Sequence, residues 1–271
     1  MMQALPVVQS GATVALIRKL AIRLALTPDE LPILQSIFSV ARSVRRHQDI
    51  VTEGKRNRVI FFVLEGLLIH YRIMRDGQRQ VINIVVPGDI VGAPSCFFDG
   101  ALYSVRSLTN SVVIAWPLEE LFNLSGMQSQ LATKIFWSFC CDAAMSAEHV
   151  VVVGRRSARE RIAHFLLELL IRLQGIGLAD ERSYRLPFSQ DVICDALGLS
   201  LAYVNRELRR LAQDGLVIIS DHKVEINDVE ALSALADFED HYLRPTPIDE
   251  LIAPGIAPPI LAGSRRDISI R

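Results

Sequence analysis

Arg206, Arg209 and Arg210, with Ser200, Tyr203 and Asn205 just before them, form the densest group of recognition side chains in the sequence. Their chemistry is hydrogen bonding to a surface, with no bond made or broken. An arginine fork fits the O6 and N7 of guanine, an asparagine amide fits adenine, and hydroxyls and arginines also reach phosphate oxygens. Spacing decides which of them are free to do so. Val204, Leu208 and Leu211 recur at helical intervals and would face inward, which leaves Tyr203, Asn205, Arg206, Arg209 and Arg210 pointing outward. For the arginines, a solvated basic face is the bland alternative.

Other candidate chemistry is sparse. The four cysteines, Cys96, Cys140, Cys141 and Cys194, are irregularly spaced, which fits a reducing cytoplasm. Cys140 and Cys141 would point about 100° apart on a helix and form no easy disulfide. Lys134 and His149 stand too far along it to activate either thiol, so both are read as buried structural cysteines. His47 and His70 lie far apart in a β-rich region. Either could in principle hold a haem iron, but both read as ordinary exposed or hydrogen-bonded histidines. A cupin-type β-barrel metalloenzyme with helical appendages is the rival class, and it would need clustered His and carboxylate ligands. No metal and no cofactor is expected.

The arginine cluster needs a frame, and the surrounding sequence supplies one. Ser189 to Val217 reads as two short helices joined by a tight turn. Ser189 caps the first, Val192, Ile193, Ala196 and Leu197 give it an apolar face, and Gly198 ends it. Ser200 caps the second, and Gly215 stops it. Two β-prone runs, Val217 to Ile219 and Lys223 to Ile226, follow with Asp221-His222 between them. That is a helix-turn-helix with a β-wing, a unit that places the start of its second helix in the major groove of double-stranded DNA. Net charge is −1, so a polyanion would be met by this local cluster and not by bulk charge.

Upstream, Ser157 caps a helix over Ala158 to Gln174, and Tyr184 to Leu186 reads as a short strand. Gly154-Arg155-Arg156-Ser157 breaks the pattern as a hinge. Before it, a long helix covers about Gln128 to Val153. On that helix Ile135, Phe139, Ala143, Ser146 and Val150 repeat at three and four residues, the spacing of a seam between two copies of the chain; packing on the chain's own β-region is the alternative. Leu118, Leu121 and Phe122 start a short helix. From Ser43 to Pro117 short β-rich runs alternate with turns: Asp49 to Thr52, Val59 to Leu64, Leu67 to Met74, Gln80 to Val86, Arg106 to Thr109 and Val112 to Trp116. Asp76-Gly77 and Pro87-Gly88-Asp89 mark tight turns. Thr27-Pro28-Asp29-Glu30 opens a helix, and Asp228 to Tyr242 carries another. Five prolines after Arg244 leave a tail with no regular element. No apolar run reaches about 18 residues, so no membrane span is expected.

The order β-roll, long helix, hinge, winged helix resembles the catabolite activator and fumarate–nitrate regulator (CRP/FNR) family of bacterial transcription factors, over about Leu26 to Leu243. The resemblance is carried by Pro87-Gly88-Asp89-Ile90-Val91-Gly92, by Arg159-Glu160-Arg161-Ile162-Ala163, and by Asp195-Ala196-Leu197-Gly198-Leu199-Ser200 with Val204-Asn205-Arg206. It implies an α+β fold: an N-terminal cyclic-nucleotide-binding-like β-roll over 26–124, a long dimerisation helix over 125–153 and a C-terminal winged helix-turn-helix over 154–243. A leader, 1–25, precedes them and the Pro-rich tail, 244–271, follows. It implies a cytoplasmic homodimer on a two-fold symmetric DNA site, RNA polymerase as a partner, and a small-molecule effector where one exists. Gly88, Asp89, Gly92 and Ser146 are the candidate effector contacts. Cyclic nucleotide is not expected as that effector. Members that bind it follow the Gly-Asp turn with a Glu and carry an Arg-Ser or Arg-Thr pair, whereas Ala93-Pro94 and Ala101-Leu102 stand near those places here. Residues 1–95 hold no cysteine, which excludes the iron–sulfur cluster of other members. Arg206 matches the family's guanine-reading arginine, but the usual Glu falls at Ala202, so the half-site should differ from the common one. Ser189, Ser200, Tyr203 and Asn205 are further DNA contacts, and Arg209 and Arg210 suit phosphates.

Overall fold

The computed structural model describes residues 41–122 and 128–244. The leader, the helix expected from Thr27 and the tail from residue 245 lie outside them.

Two four-stranded antiparallel sheets form the β-roll. One orders β1 (Ala41–Val44), β8 (Ser111–Pro117), β3 (Val59–Glu65) and β6 (Ile90–Val91). The other orders β2 (Asp49–Val51), β7 (Ser104–Ser107), β4 (Leu68–Ile73) and β5 (Arg79–Val85). Val44, Phe61, Val63, Leu68, Val85, Val105 and Val113 meet in one buried cluster. The Asp76-Gly77 turn joins β4 to β5, with Gly77 at φ +84°. Strands β1 and β6 have no counterpart in the sequence reading. The first, Ala-Arg-Ser-Val, is short and mixed in type, and the second hides behind the Pro-Gly-Asp turn signal.

After α1 (Leu118–Phe122) comes α2 (Gln128–Arg155). It runs through Gly154 and Arg155, which sequence reading assigned to a hinge; with nothing within 4 Å of a Cβ there, the glycine simply continues the helix. The break falls at Arg156 and Ser157. Ser157 caps α3 (Ala158–Gln174) in a reciprocal capping box with Glu160. Then follow β9 (Ser183–Arg185), α4 (Gln190–Leu197), α5 (Leu201–Gln213), β10 (Val217–Ser220) and β11 (Lys223–Ile226). The wing is a three-stranded sheet, β10-β11-β9, whose turn holds Asp221 and His222 at positive φ. The helix expected over Asp228 to Tyr242 is shorter. It forms α6 (Val229–Ala236), Asp237 turns left-handed and ends it, and a 3-10 turn follows at His241–Leu243.

The winged unit is seated on its own β-roll. One buried cluster runs from Ile69, Tyr71, Val81 and Ile84 through Leu166 and Leu170 of α3 to Ile193, Val204 and Leu211. Polar ties cross the same junction. Arg79 pairs with Asp195 (2.6 Å), Gln80 donates to the Ala196 carbonyl (3.3 Å), and Arg172 reaches both Asp89 (2.9 Å) and Asn83 (3.2 Å).

Candidate nucleic-acid interface

α5 is strongly two-faced. Val204, Leu208 and Leu211 are buried as spacing predicts. Ser200 sits at the N-cap and accepts from the Tyr203 N–H (3.4 Å). That leaves the first turn of the helix exposed with Leu201, Ala202 and Tyr203 on it. Ala202, Asn205, Arg206, Arg209 and Arg210 line one open concave surface together with Gln213. Seven of the eight candidate DNA contacts thus share one helix and its cap, five of them on that surface, and Arg206, Arg209 and Arg210 are all exposed. Ser189 stands apart at the start of α4. It occupies the N-cap, but its hydroxyl bonds to the Asp191 carboxylate (3.1 Å) and not to a backbone N–H.

Two residues that the spacing argument does not single out belong here. Glu207 is buried on the inward stripe, and its Oε1 accepts from Arg206 Nε (2.9 Å) and Arg210 NH1 (3.0 Å). Burial works against its charge, but the two arginines prevail and hold the carboxyl below its ordinary range. A charged residue on an otherwise apolar stripe was the available signal. Leu201, 46% exposed at the head of the helix, is an apolar group of the kind that meets thymine methyls.

The four effector candidates are not brought together. Gly88 (φ +96°) and Gly92 (φ +85°) shape the turn, and a Cβ at Gly92 would stand 2.9 Å from the Val59 carbonyl. Asp89 is buried, accepting the Val86 N–H (2.9 Å) and pairing with Arg172. Ser146 donates to the Asp142 carbonyl within α2 and lines a cleft of about 520 Å³ between α2, α3, α4 and β5, which the turn residues do not touch. Arg106, the nearest candidate for a phosphate clamp in the roll, is held in a fork by both Asp49 carboxylate oxygens (2.9 and 2.8 Å).

On α2 the residues expected to form a seam divide between buried and exposed positions. Ile135 is 1% exposed and turned onto its own chain, and Phe139 is half-buried, whereas Ala143, Ser146 and Val150 are exposed. The exposed apolar line is Phe136, Cys140, Ala143, Ala147 and Val150, at alternating steps of four and three. Cys140, read as a buried structural thiol, lies on that line; only Cys96 and Cys194 are buried.

Comparison with known proteins matches the same two halves. The cyclic nucleotide-binding domain family matches residues 41–126, and the Crp-like helix-turn-helix domain family matches 160–235. The nitrogen fixation regulation protein FixK of Rhizobium meliloti is 31% identical over 193 residues, 70% of this chain and 84% of that protein. The transcriptional activator protein anr of Pseudomonas aeruginosa is 27% identical over 217 residues, 80% and 88% of the two chains. Among solved structures, FixK2 from Bradyrhizobium japonicum superposes with a TM-score of 0.64 at 25% identity, covering 72% of this chain and 96% of that one.

Proposed function

Since this chain belongs to the CRP/FNR family of transcription regulators, we propose that it acts as a homodimer on a two-fold symmetric site in double-stranded DNA, with α5 of each copy in the major groove. The family is one of regulators and not of enzymes, so the cupin-type metalloenzyme reading is set aside.

The observation that carries the proposal is the surface of α5. Its cap, its exposed first turn and its outward arginines give base-reading and phosphate-holding groups on one unobstructed face. Arg206 reads guanine, Asn205 and Leu201 add base contacts, and Ser200, Tyr203, Arg209 and Arg210 hold phosphates. Ala202 leaves its neighbouring base without a carboxylate partner, so the half-site departs from that of members with Glu there. Ser189, at the start of α4, reaches the backbone alongside.

The two copies meet along Phe136, Cys140, Ala143, Ala147 and Val150 of α2. The stretch Ala132–Arg155 is long and apolar enough to cross a membrane by length and composition, which the sequence reading did not anticipate. We read its apolar exposure as a protein interface. Its other face is committed to the chain through buried Ile135, Met145 and Val152 and through the His149–Glu168 pair (2.8 Å). The protein then works in the cytoplasm, with RNA polymerase as its further partner. Its effector, where one acts, is a small molecule other than a cyclic nucleotide, because Arg106 is taken by Asp49 and Asp89 by Arg172.

Selection from a random DNA library by the purified protein, at two salt concentrations, tests this. A symmetric motif with half-site centres about one helical turn apart is the expected result. Arg206→Ala should cost about 1–3 kcal/mol and relax one base pair in each half-site. Retention of full affinity and the same motif would remove α5 from the reading role.

A further inference from the structure

Glu207 is out of place by type. It stands with Val204, Leu208 and Leu211 on the inward stripe of α5, and only 3% of the residue is exposed. A carboxylate there gives up hydration, and its Oε2 has no hydrogen-bond partner among the described residues. A leucine would fill the stripe at lower cost. What the carboxylate gains is at its other oxygen, which receives both Arg206 Nε and Arg210 NH1. The Arg210 contact has ordinary one-turn spacing. The Arg206 contact does not, because adjacent helix residues diverge by about 100° and do not normally face each other. The Arg206 side chain therefore folds back across the helix to reach it, and its guanidinium carbon comes to lie 4.1 Å from the centre of the Tyr203 ring. A buried acid holds one edge of the arginine, and an aromatic ring covers one face.

We propose that Glu207 is a positioning residue for sequence reading: it fixes Arg206 through Nε over Tyr203, so that the two terminal amines form an end-on fork aimed at one guanine. This deepens, and rests on, the reading of α5 as the recognition helix. The physical benefit is preorganisation. A free arginine loses rotamer freedom when it docks, whereas one already clamped loses less. The same negative charge opposes DNA at large, since any acid near the backbone lowers non-specific affinity. Glu207 thus raises discrimination and lowers indiscriminate binding, a combination that a merely structural residue does not produce.

The test uses full-length wild type, Arg206→Ala, Glu207→Met and Glu207→Gln. Each is titrated against the selected motif, the motif with its guanine replaced at the position that Arg206→Ala relaxes, and random-sequence DNA. Glu207→Met should lose roughly 5- to 100-fold of guanine discrimination. It should also bind random DNA more tightly than wild type and melt at the same or a higher temperature. Glu207→Gln still accepts the Nε–H and should recover most of the discrimination. Full guanine preference in Glu207→Met overturns the proposal, as does an equal loss on all three DNAs with a lowered melting temperature. If Arg206→Ala itself selects the wild-type motif, the recognition-helix reading fails first and this inference with it. If Arg206→Ala relaxes the guanine and Glu207→Met does not, only the role of Glu207 fails.

Discussion

His70 shows how one side chain sets a pH response from inside a β-roll. Its ring stacks on Tyr103 with centroids 4.7 Å apart, and its Nε2 is buried without a hydrogen-bond partner among the described residues. Burial pulls its pKa down to about 4; the charge of Asp89 opposes this and that of Arg172 adds to it. Because the folded value lies below the unfolded one, the unfolded chain takes up the proton first as the pH drops. Stability is therefore lost as pH falls from about 6.5 toward 4, with a slope of at most about 1.4 kcal/mol per pH unit from this one group. His70→Phe keeps the stack and removes the titration, so urea midpoints measured across that window should flatten relative to wild type. An unchanged slope would move the effect to another group, such as His164, whose pKa burial also lowers. His149 runs the other way. Burial lowers it, but Glu168 more than offsets this and raises it above the ordinary value, so its contribution is complete below about 6.5 and fades as pH rises through the higher folded value.

The element whose role is most sensitive to register is α2. One face carries Ile135, Met145 and Val152 into the chain's own interior; the other carries Phe136, Cys140, Ala143, Ala147 and Val150 outward. Ala147→Glu should therefore dissociate the dimer in analytical ultracentrifugation while leaving the helical circular dichroism intact, and Ser146→Glu, one position off the line, should dissociate it far less. Equal effects would restore the seam expected from sequence. Spacing alone cannot choose between these two lines, because Ile135 and Phe136 are both apolar and only the packing of the rest of the chain decides which is covered. Where a second, independent signal existed, the sequence reading of helices was close. Ser157, Gly175 and the apolar stripe between them bound α3 at the residues observed, and Ser200, Gly198 and the wing turn did the same for the recognition unit. β1 and β6, by contrast, owe their existence to partners distant in sequence. Ala41 to Val44 pairs with Ile114 to Ser111, and Ile90-Val91 with Phe62 and Phe61, which no local pattern announces. Glu207 is the opposite case: its helical position marks it as inward, and its acidic type on that apolar stripe is a local signal.

At the scale of the molecule, the roll and the winged unit are joined by one apolar cluster and by ions buried within it. Asp89 and Arg172 are both only 4% exposed in their side chains and sit 2.9 Å apart, with Glu168 also against the arginine (3.3 Å). Asp89→Ala would strip a buried guanidinium of its shortest partner and should cost about 3–5 kcal/mol of unfolding free energy in urea. The double variant with Arg172→Met should recover much of that, because the uncompensated charge leaves with its partner. A fragment of residues 154–243 should melt below the full chain, since it leaves Val81 and Ile84 behind. The joint has a consequence for geometry. Arg79 bolts the first helix of the reading unit to β5, and α2 of the same chain carries the symmetry axis of the proposed dimer. The two reading helices then behave as the fixed jaws of a caliper, with the gap set by protein and not by DNA. Inserting one base pair between half-sites moves one of them about 3.4 Å along the duplex and roughly 35° around it. Jaws mounted this rigidly cannot follow both changes, so the operator should be recognised by its torsional phase as sharply as by its letters.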